Sequence, residues 1–245
     1  MKRTAIYAGT RNIYHDMLVS AKSLIANDGA DEIIILAEDD ELPEGHPPCI
    51  TSINVSGQKY FKPAGPNFSC RWTYMVMMRT ALTKLLPDHD LVLSLDHDVI
   101  VRKPIYELWE TDVTGYYYAA VEEKQIQNRN HPYFNFGVVL HNLFQLRKDG
   151  VDDIIINHVN TIHFDYCEQD AVNSVCKKNI LELPPKFNAM RFNKPRLSDE
   201  DISIAHHAAR IFPLNTFPDY QFYDRMTWYD VFRKRNEVKT LHDAL

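Results

Sequence analysis

Short apolar runs alternate with amphipathic stretches along the first part of the chain. Ala5–Ala8 (AIYA) and Glu32–Ala37 (EIIILA) are brief and almost wholly apolar, which predicts strands. Between them Met17, Leu18, Ala21, Leu24 and Ile25 recur at helical spacing, which predicts a helix over Asp16–Ala26. Strand, helix and strand in that order are the grammar of a βαβ unit. After a looser stretch, EDDELPEGHPPC, the pattern predicts a strand at Ser52–Val55, a helix at Trp72–Leu86 stopped by Pro87, and a strand at Leu91–Leu95. Leu91–Leu95 is nearly continuous in apolar character, as expected when both faces of a sheet are covered. The pattern therefore predicts an α/β fold with a mostly parallel, Rossmann-like sheet and helices on both faces.

The second half is less regular. Tyr116–Glu123 (YYYAAVEE) and Tyr133–Leu143 (YFNFGVVLHNL) predict strands, Gln169–Lys177 a helix, and Ile202–Ala208 a short strand. From Pro213 onward aromatic residues are dense and the last turns are basic (RKRNEVK). No Pro/Gly/Ser-rich linker separates the halves, so a single domain over 1–245 is expected, with a variable segment at 214–245. A chain of 245 residues is long enough for one large buried α/β core.

Composition narrows the class. Apolar residues make up 45% and charged residues 24%, the balance of a water-soluble globular protein. The net charge of −6 removes any general attraction to nucleic acid, so no nucleic-acid partner is expected and any phosphate must be held locally. Cys49, Cys70, Cys167 and Cys176 show no CxxC spacing, and a core of this size needs no disulfide, which favours a reducing compartment. The start MKRTAIYAGTRN has no signal-peptide hydrophobic region, and no run approaches the ~20 apolar residues of a membrane span. A cytoplasmic protein is the expectation.

The chemistry begins where the strand Leu91–Leu95 runs into Asp96, His97 and Asp98. On an extended chain residues two apart point to one side, so the two carboxylates converge at the carboxyl end of a strand, where ligands of open α/β sheets gather. Two oxygen ligands leave most positions of a divalent ion open, which suits Mg²⁺ or Mn²⁺ bound together with phosphate oxygens. The plainer alternative is a solvated acidic turn.

The segment LLPDHDLVLSLDHDVIV resembles the DxD region of glycosyltransferase family 8, the retaining sugar-nucleotide transferases that include bacterial lipopolysaccharide galactosyl- and glucosyltransferases. Four further blocks in the family's order carry the resemblance. AIYAGTRNIYHDMLVSAKSLI resembles the first strand, nucleotide-binding turn and first helix. Arg79, eight residues before Pro87, matches the arginine that heads the RLxxxxLLP helix. YFNFGVVLHNL resembles FNxGVxLxNL, and EQDAVNSVCKKNILELPPKFN resembles DQDxLNxxxxxxxxxLPxxxN.

The resemblance implies a GT-A-type domain with a nucleotide-binding half at 1–105 and a sugar and acceptor half at 106–213. Ala8, Thr10 and Asn12 would line the uracil and ribose pocket, with a threonine hydroxyl where relatives often carry aspartate. Asp96 and Asp98 would bind the metal, with His97 as a neighbour of the site. His206 would supply the third protein ligand, with His207 as the alternative. An imidazole with two carboxylates favours Mn²⁺, although Mg²⁺ is compatible. Arg79 would add positive charge near the diphosphate. Asn135 and Gly137 would face the sugar, the glycine allowing close approach to the backbone; a bulge glycine beside a buried asparagine is the plainer reading. Gln169 would lie near the anomeric carbon, with Glu168 and Asp170 contacting the transferred sugar; an N-cap cluster for the following helix is the plainer reading, and both can hold at once.

Departures from the pattern matter. The family's GxxKPW corresponds to ARIFPL: Ala209 replaces the glycine, Phe212 the lysine and Leu214 the tryptophan, which leaves either Arg210 as the substitute cation for the diphosphate or a more weakly bound donor. The acidic residue that some relatives place before the FNxG block is missing, and Arg129 and Asn130 occupy that neighbourhood. The implied reaction is transfer of a hexose, glucose or galactose, from a UDP-sugar to a carbohydrate or glycolipid acceptor. Two rival readings are a sugar-1-phosphate nucleotidyltransferase, whose glycine-rich basic loop is missing, and a non-catalytic sugar-nucleotide binder. The segment MTWYDVFRKRNEVKTL sets Trp228, Tyr229 and Phe232 beside Arg233, Lys234 and Arg235, the composition of either a peripheral membrane helix or an amphipathic helix packed on the core.

Overall fold

The apolar runs become strands and the helical periodicities become helices in the computed structural model, which describes residues 2–39, 45–125 and 131–244. The strands are β1 (Thr4–Ala8), β2 (Glu32–Ala37), β3 (Ile50–Asn54), β4 (Leu91–Leu95), β5 (Val99–Val101), β6 (Tyr118–Glu122), β7 (Phe134–Asn142), β8 (Ile180–Glu182), β9 (Ala189–Met190) and β10 (Ile204–His206). The helices are α1 (Tyr14–Ala26), α2 (Leu82–Leu85), α3 (Tyr106–Trp109), α4 (Leu143–Asp149), α5 (Val151–Thr161), α6 (Cys167–Cys176), α7 (Pro218–Asp224) and α8 (Trp228–Asp243). Gly150, left-handed at φ 66°, separates α4 from α5 where a residue with a Cβ would be strained.

Seven strands form the main sheet in the order β3-β2-β1-β4-β7-β6-β8. β1 runs parallel to β2 and β4, β2 to β3, and β6 to β8. β7 runs antiparallel to both β4 and β6, with Leu93 opposite Leu140 and Ala120 opposite Val139. The sheet is thus mainly parallel with one inverted strand, a direction that apolar periodicity does not encode. Along β4 the buried side chains alternate between two cores: Leu91, Leu93 and Leu95 join Leu24, Ile25 and Ile35 on one face, while Val92 joins Met78, Val139 and Ile155 on the other. Coverage of both faces is what the continuous apolar character of Leu91–Leu95 predicts.

A second sheet, β5-β10-β9, lies at the carboxyl end of β4. β10 pairs antiparallel with β5, His206 opposite Val99, and parallel with β9, His206 opposite Met190. This small sheet is how the last third of the chain returns to the turn after β4.

One predicted element is corrected. Trp72–Leu86 is not a continuous helix: turns lead into a 3₁₀ segment at Val76–Ala81 and the single α-helical turn of α2. Thr73 stands at φ 62°, and a right-handed helix cannot run through a left-handed, β-branched residue. The C-terminal helix α8 opens with a capping box between Thr227 and Asp230. It buries Val231 and packs Trp228 and Phe232 against the core. Lys234 donates to Asn27 Oδ1 at 2.9 Å, and Arg235 reaches Asp28 and Asp31 at 2.8 and 2.9 Å. The amphipathic face is therefore the one packed on the core. Among the described residues no helix is long and apolar enough to cross a membrane.

Candidate active site

β4 ends at Leu95, and the chain turns at once through Asp96, His97 and Asp98 into β5. Asp96 N–H donates to Gly137 O on the neighbouring strand at 2.8 Å, and Asp96 O accepts from Val99 N at 3.3 Å. The two carboxylates converge because of this turn, so side-chain alternation along an extended strand is not what brings them together. β10 then delivers His206. Ligand atoms of Asp96, Asp98 and His206 all lie within 4.8 Å of one another. His206 Nε2 is 3.6 Å from Asp96 and 3.3 Å from Asp98.

The ring orientation of His206 follows from its neighbours. Asn188 Nδ2 donates to Asn135 Oδ1 at 2.9 Å, which turns Asn188 Oδ1 toward His206 Nδ1 at 2.8 Å. An acceptor at Nδ1 leaves the Nε2 edge to the carboxylates, the arrangement that orients a metal-ligating imidazole. Gly137 makes room, since a Cβ there would run into the His206 ring. Two carboxylate oxygens and one imidazole nitrogen converging from three directions fit a divalent cation such as Mn²⁺. Burial alone would raise the Asp98 carboxyl, but the charge of His206, with His97 and Arg210, holds it well below the usual carboxylate range. Burial alone would lower the His206 imidazole, but Asp98 and Asp96 raise it. His207 turns away: its Nε2 faces Asp219 at 3.1 Å and its ring packs on Phe217, 4.1 Å between centroids.

Arg79 ties the acidic turn to α6. Its Nη1 donates to Asp96 Oδ1 at 2.8 Å and to Phe136 O at 2.7 Å, and its Nη2 donates to Glu168 Oε1. Burial pushes the Glu168 carboxyl up against the downward pull of Arg79. Gln169 is held at both ends of its amide: Oε1 accepts from Phe136 N at 2.9 Å, and Nε2 donates to Tyr133 Oη at 3.0 Å. Tyr133 Oη in turn donates to Asp170 Oδ1 at 2.7 Å, while Asp170 Oδ2 accepts from Tyr166 N at 2.9 Å. Asp170 thus closes the first turn of α6 as an N-terminal carboxylate and also belongs to the network.

Arg79, Asp96, Asp98, Glu168, Gln169 and His206 line one cavity of about 790 Å³, within the range of small-ligand sites, and Asp170, Gly137 and Tyr133 are not part of its lining. Ala8, Thr10 and Asn12 line it from the turn after β1, where Thr10 Oγ1 donates to Asn12 Oδ1. His97 and Asn135 also line it, and Gly137 N donates to Asn135 Oδ1 at 2.9 Å. Arg210 enters from the loop after β10, with Nη1 2.6 Å from Asp98 Oδ2. Ala209 beside it is left-handed at φ 51°, a conformation that costs a residue with a Cβ about 1–2 kcal/mol. Arg129 and Asn130 lie outside the described residues.

The structure adds residues that sequence reasoning missed. Glu123 stands just past β6 in the cavity wall, and its Oε2 accepts from Asn135 Nδ2 at 3.0 Å and lies 3.4 Å from Gln169 Nε2. The signal was available, because YYYAAVEE also runs an apolar strand into carboxylates, as LVLSLDHD does. Asn188 carried no such signal. Cys70 and Cys167 meet sulfur to sulfur as a disulfide across 97 residues of sequence, against the expectation of none, while Cys49 and Cys176 are free. No local spacing announces a pairing so distant.

The family described as Glycosyl transferase family 8 matches residues 7–211. A putative glycosyltransferase of Haemophilus influenzae is 28% identical over 123 residues, 45% of this chain and 37% of that protein. The crystal structure of the glycosyltransferase GlyE of Streptococcus pneumoniae superposes with a TM-score of 0.74 at 19% identity, covering 97% of this chain and 64% of that one. The galactosyltransferase LgtC, solved in complex with donor and acceptor sugar analogs, superposes with a TM-score of 0.62 at 21% identity, covering 96% of this chain and 94% of that one. The fold is that of these GT-A glycosyltransferases, and the chain spans well under two thirds of the length of the Haemophilus protein.

Proposed function

Because the chain belongs to glycosyltransferase family 8, we propose that it moves a hexose, glucose or galactose, from a UDP-sugar to a carbohydrate hydroxyl with retention at the anomeric carbon. The observation that carries this reading is the convergence of Asp96, Asp98 and His206 on the floor of the cavity that also holds Arg79, Glu168 and Gln169. Asp96, Asp98 and His206 would hold Mn²⁺, or Mg²⁺ in its place. Such an ion, when bound, supplies Lewis acidity toward the departing diphosphate.

The chain's own residues divide the remaining work. Ala8, Thr10 and Asn12 receive the uracil and ribose, Thr10 through a hydroxyl. Arg210, within reach of Asp98, supplies the positive charge that the missing family lysine would give the diphosphate. Arg79 fixes Asp96 and Glu168 at once, so the acidic turn and the start of α6 move as one unit. Glu123 and Asn135 offer acceptors and donors to the sugar hydroxyls, Asp170 steadies Gln169 through Tyr133, and Gly137 keeps the His206 ring seated beside them. Gln169 is a neutral amide and a poor nucleophile, so a double displacement through a carboxylate is disfavoured. Same-face attack follows, with the Gln169 carbonyl stabilising positive charge at the anomeric carbon and the leaving phosphate taking the acceptor's proton.

The acceptor is a carbohydrate or the sugar of a glycolipid, and the second case would bring a cytoplasmic enzyme to the inner face of a membrane. In this scheme 1–105 binds the nucleotide, 106–213 the sugars, and 214–245 buttresses α1. Asp96→Asn tests the reading through Mn²⁺-dependent UDP release from UDP-glucose and UDP-galactose. A loss of about a hundredfold or more is expected. Full Mn²⁺-dependent turnover in that variant would remove the assignment.

A further inference from the structure

A second cavity, of about 280 Å³, opens against the small sheet, at the small end of the range for ligand sites. Ala189 and Met190 of β9 and Ala205 of β10 line it, and His206 belongs to the lining of both cavities. Asp96, Asp98 and Arg210 line the active-site cavity and not this one.

Its charge runs against that of the chain. The whole molecule carries −6, yet this wall gathers three guanidiniums, Arg102, Arg191 and Arg196, with one carboxylate, Asp199. Arg102 is committed, since Nη2 donates to Asp219 at 2.8 Å and Nη1 to Asp199 at 3.0 Å. Arg191 and Arg196 are exposed and have no ion-pair partner among the described residues. An oxyanion between two such guanidiniums relieves their mutual repulsion and offers each the paired acceptors its planar fork fits. The rest of the wall is of another kind. Met190, Leu197 and Phe217 make it apolar, and Asn193 adds an amide. Asn193 Nδ2 donates to Glu122 O at 2.8 Å, which fixes that amide, while its Oδ1 is buried without a hydrogen-bond partner among the described residues. A buried acceptor left over in a cavity wall calls for a donor.

We infer that this cavity binds an organic phosphate monoester whose body is the size of one hexose. The phosphate carries close to two negative charges at pH 7 and takes Arg191 and Arg196. Inorganic phosphate would meet the guanidiniums and leave the apolar wall bare. A hydroxylated ring fills that space and brings the donor that Asn193 Oδ1 lacks. The active-site cavity, at about 790 Å³, is the one large enough for a whole nucleotide-sugar. The inference goes beyond the glycosyl-transfer reading and does not rest on it, because the anion-binding residues are outside that site.

Calorimetry on the full chain tests it, in buffer containing a chelator and no nucleotide, with glucose 1-phosphate, inorganic phosphate and methyl α-D-glucoside as probes. Glucose 1-phosphate is expected to bind about tenfold or more tightly than either of the others. Arg191→Ala and Arg196→Ala, both at exposed positions, should each weaken it about tenfold, and Arg196→Lys by less. Arg71→Ala and Arg210→Ala, which remove guanidiniums from the active-site cavity, should leave it within about twofold. A parent chain that does not bind glucose 1-phosphate overturns the inference, as does binding that survives both Arg191→Ala and Arg196→Ala. Inorganic phosphate or the neutral glucoside binding as tightly as the ester would also overturn it. So would a loss of binding in Arg210→Ala, which would put the ester in the active site. With no metal or nucleotide in the assay, these failures leave the donor reading standing, and failure of the donor reading leaves this one standing.

Discussion

His141 faces the interior from near the end of β7, with Nε2 2.7 Å from Ser94 Oγ and Nδ1 without a hydrogen-bond partner among the described residues. Burial, with the positive charge of Arg79, lowers its imidazole to about 3. The unfolded chain protonates this histidine near 6.5 and the folded chain does not, so the unfolded state binds more protons between those values. Stability is therefore lost as pH falls from about 6.5 toward 3, by about 2 kcal/mol at pH 5 relative to pH 7. His141→Gln keeps a polar partner for Ser94 and removes the titration, so its urea midpoint should fall less between pH 7 and pH 5; an identical fall would refute the assignment. The same scale shows what sequence can and cannot reveal about single residues. LVLSLDHDVI announces Asp96 and Asp98, yet only the pairing of β10 with β5 separates His206, which joins them, from His207, which turns to Asp219. Asn188 gave no sign of its part, since an asparagine that orients a histidine is defined by three-dimensional neighbours alone.

Elements carry a different lesson. The βαβ start was legible because a buried parallel strand and an amphipathic helix have distinct periods. Trp72–Leu86 misled because its apolar spacing reports which face is buried, whereas the backbone there is set by left-handed Thr73 and by an Arg79 side chain committed to Asp96, Phe136 and Glu168. α8 could be read two ways from composition, and its contacts tie it to the core. Asp28, nearly inaccessible, receives both Arg235 and Arg3, at 2.8 and 3.1 Å. Removing one guanidinium from a buried carboxylate leaves charge under-compensated. Arg235→Ala should thus cost about 1–3 kcal/mol in urea denaturation. Arg233→Ala, at an exposed position 3.8 Å from Asp230, should change stability by less than about 0.5 kcal/mol. Equal effects from the two would mean that α8 is not anchored through Asp28 and Asp31.

At the scale of the whole molecule, the site is a junction. The main sheet contributes the end of β4 and the β7 backbone, the small sheet contributes His206, and α6 contributes Glu168, Gln169 and Asp170. Local pattern exposed the first contribution; the others stood on resemblance, because their spacing in sequence, over a hundred residues in the case of His206, carries no physical signal of proximity. A junction held by opposite charges has a thermodynamic signature. Arg210 and His206 already compensate Asp98 and Arg79 pairs with Asp96, so an added cation must compete with them, while UDP alone brings its own negative charge against the two carboxylates. Mn²⁺ and UDP together satisfy both, since each supplies the charge the other lacks. The rise in melting temperature with both ligands should therefore exceed the sum of the rises with either alone. At a hundredfold excess over the dissociation constant the stabilisation is about 2.7 kcal/mol, which corresponds to about 5–10 °C for a chain of this size. Differential scanning fluorimetry of the four conditions measures it, and Asp96→Asn should abolish the part of the shift that depends on Mn²⁺. Additive shifts, or a UDP shift indifferent to a chelator, would mean that the carboxylates and the nucleotide do not meet through a shared ion.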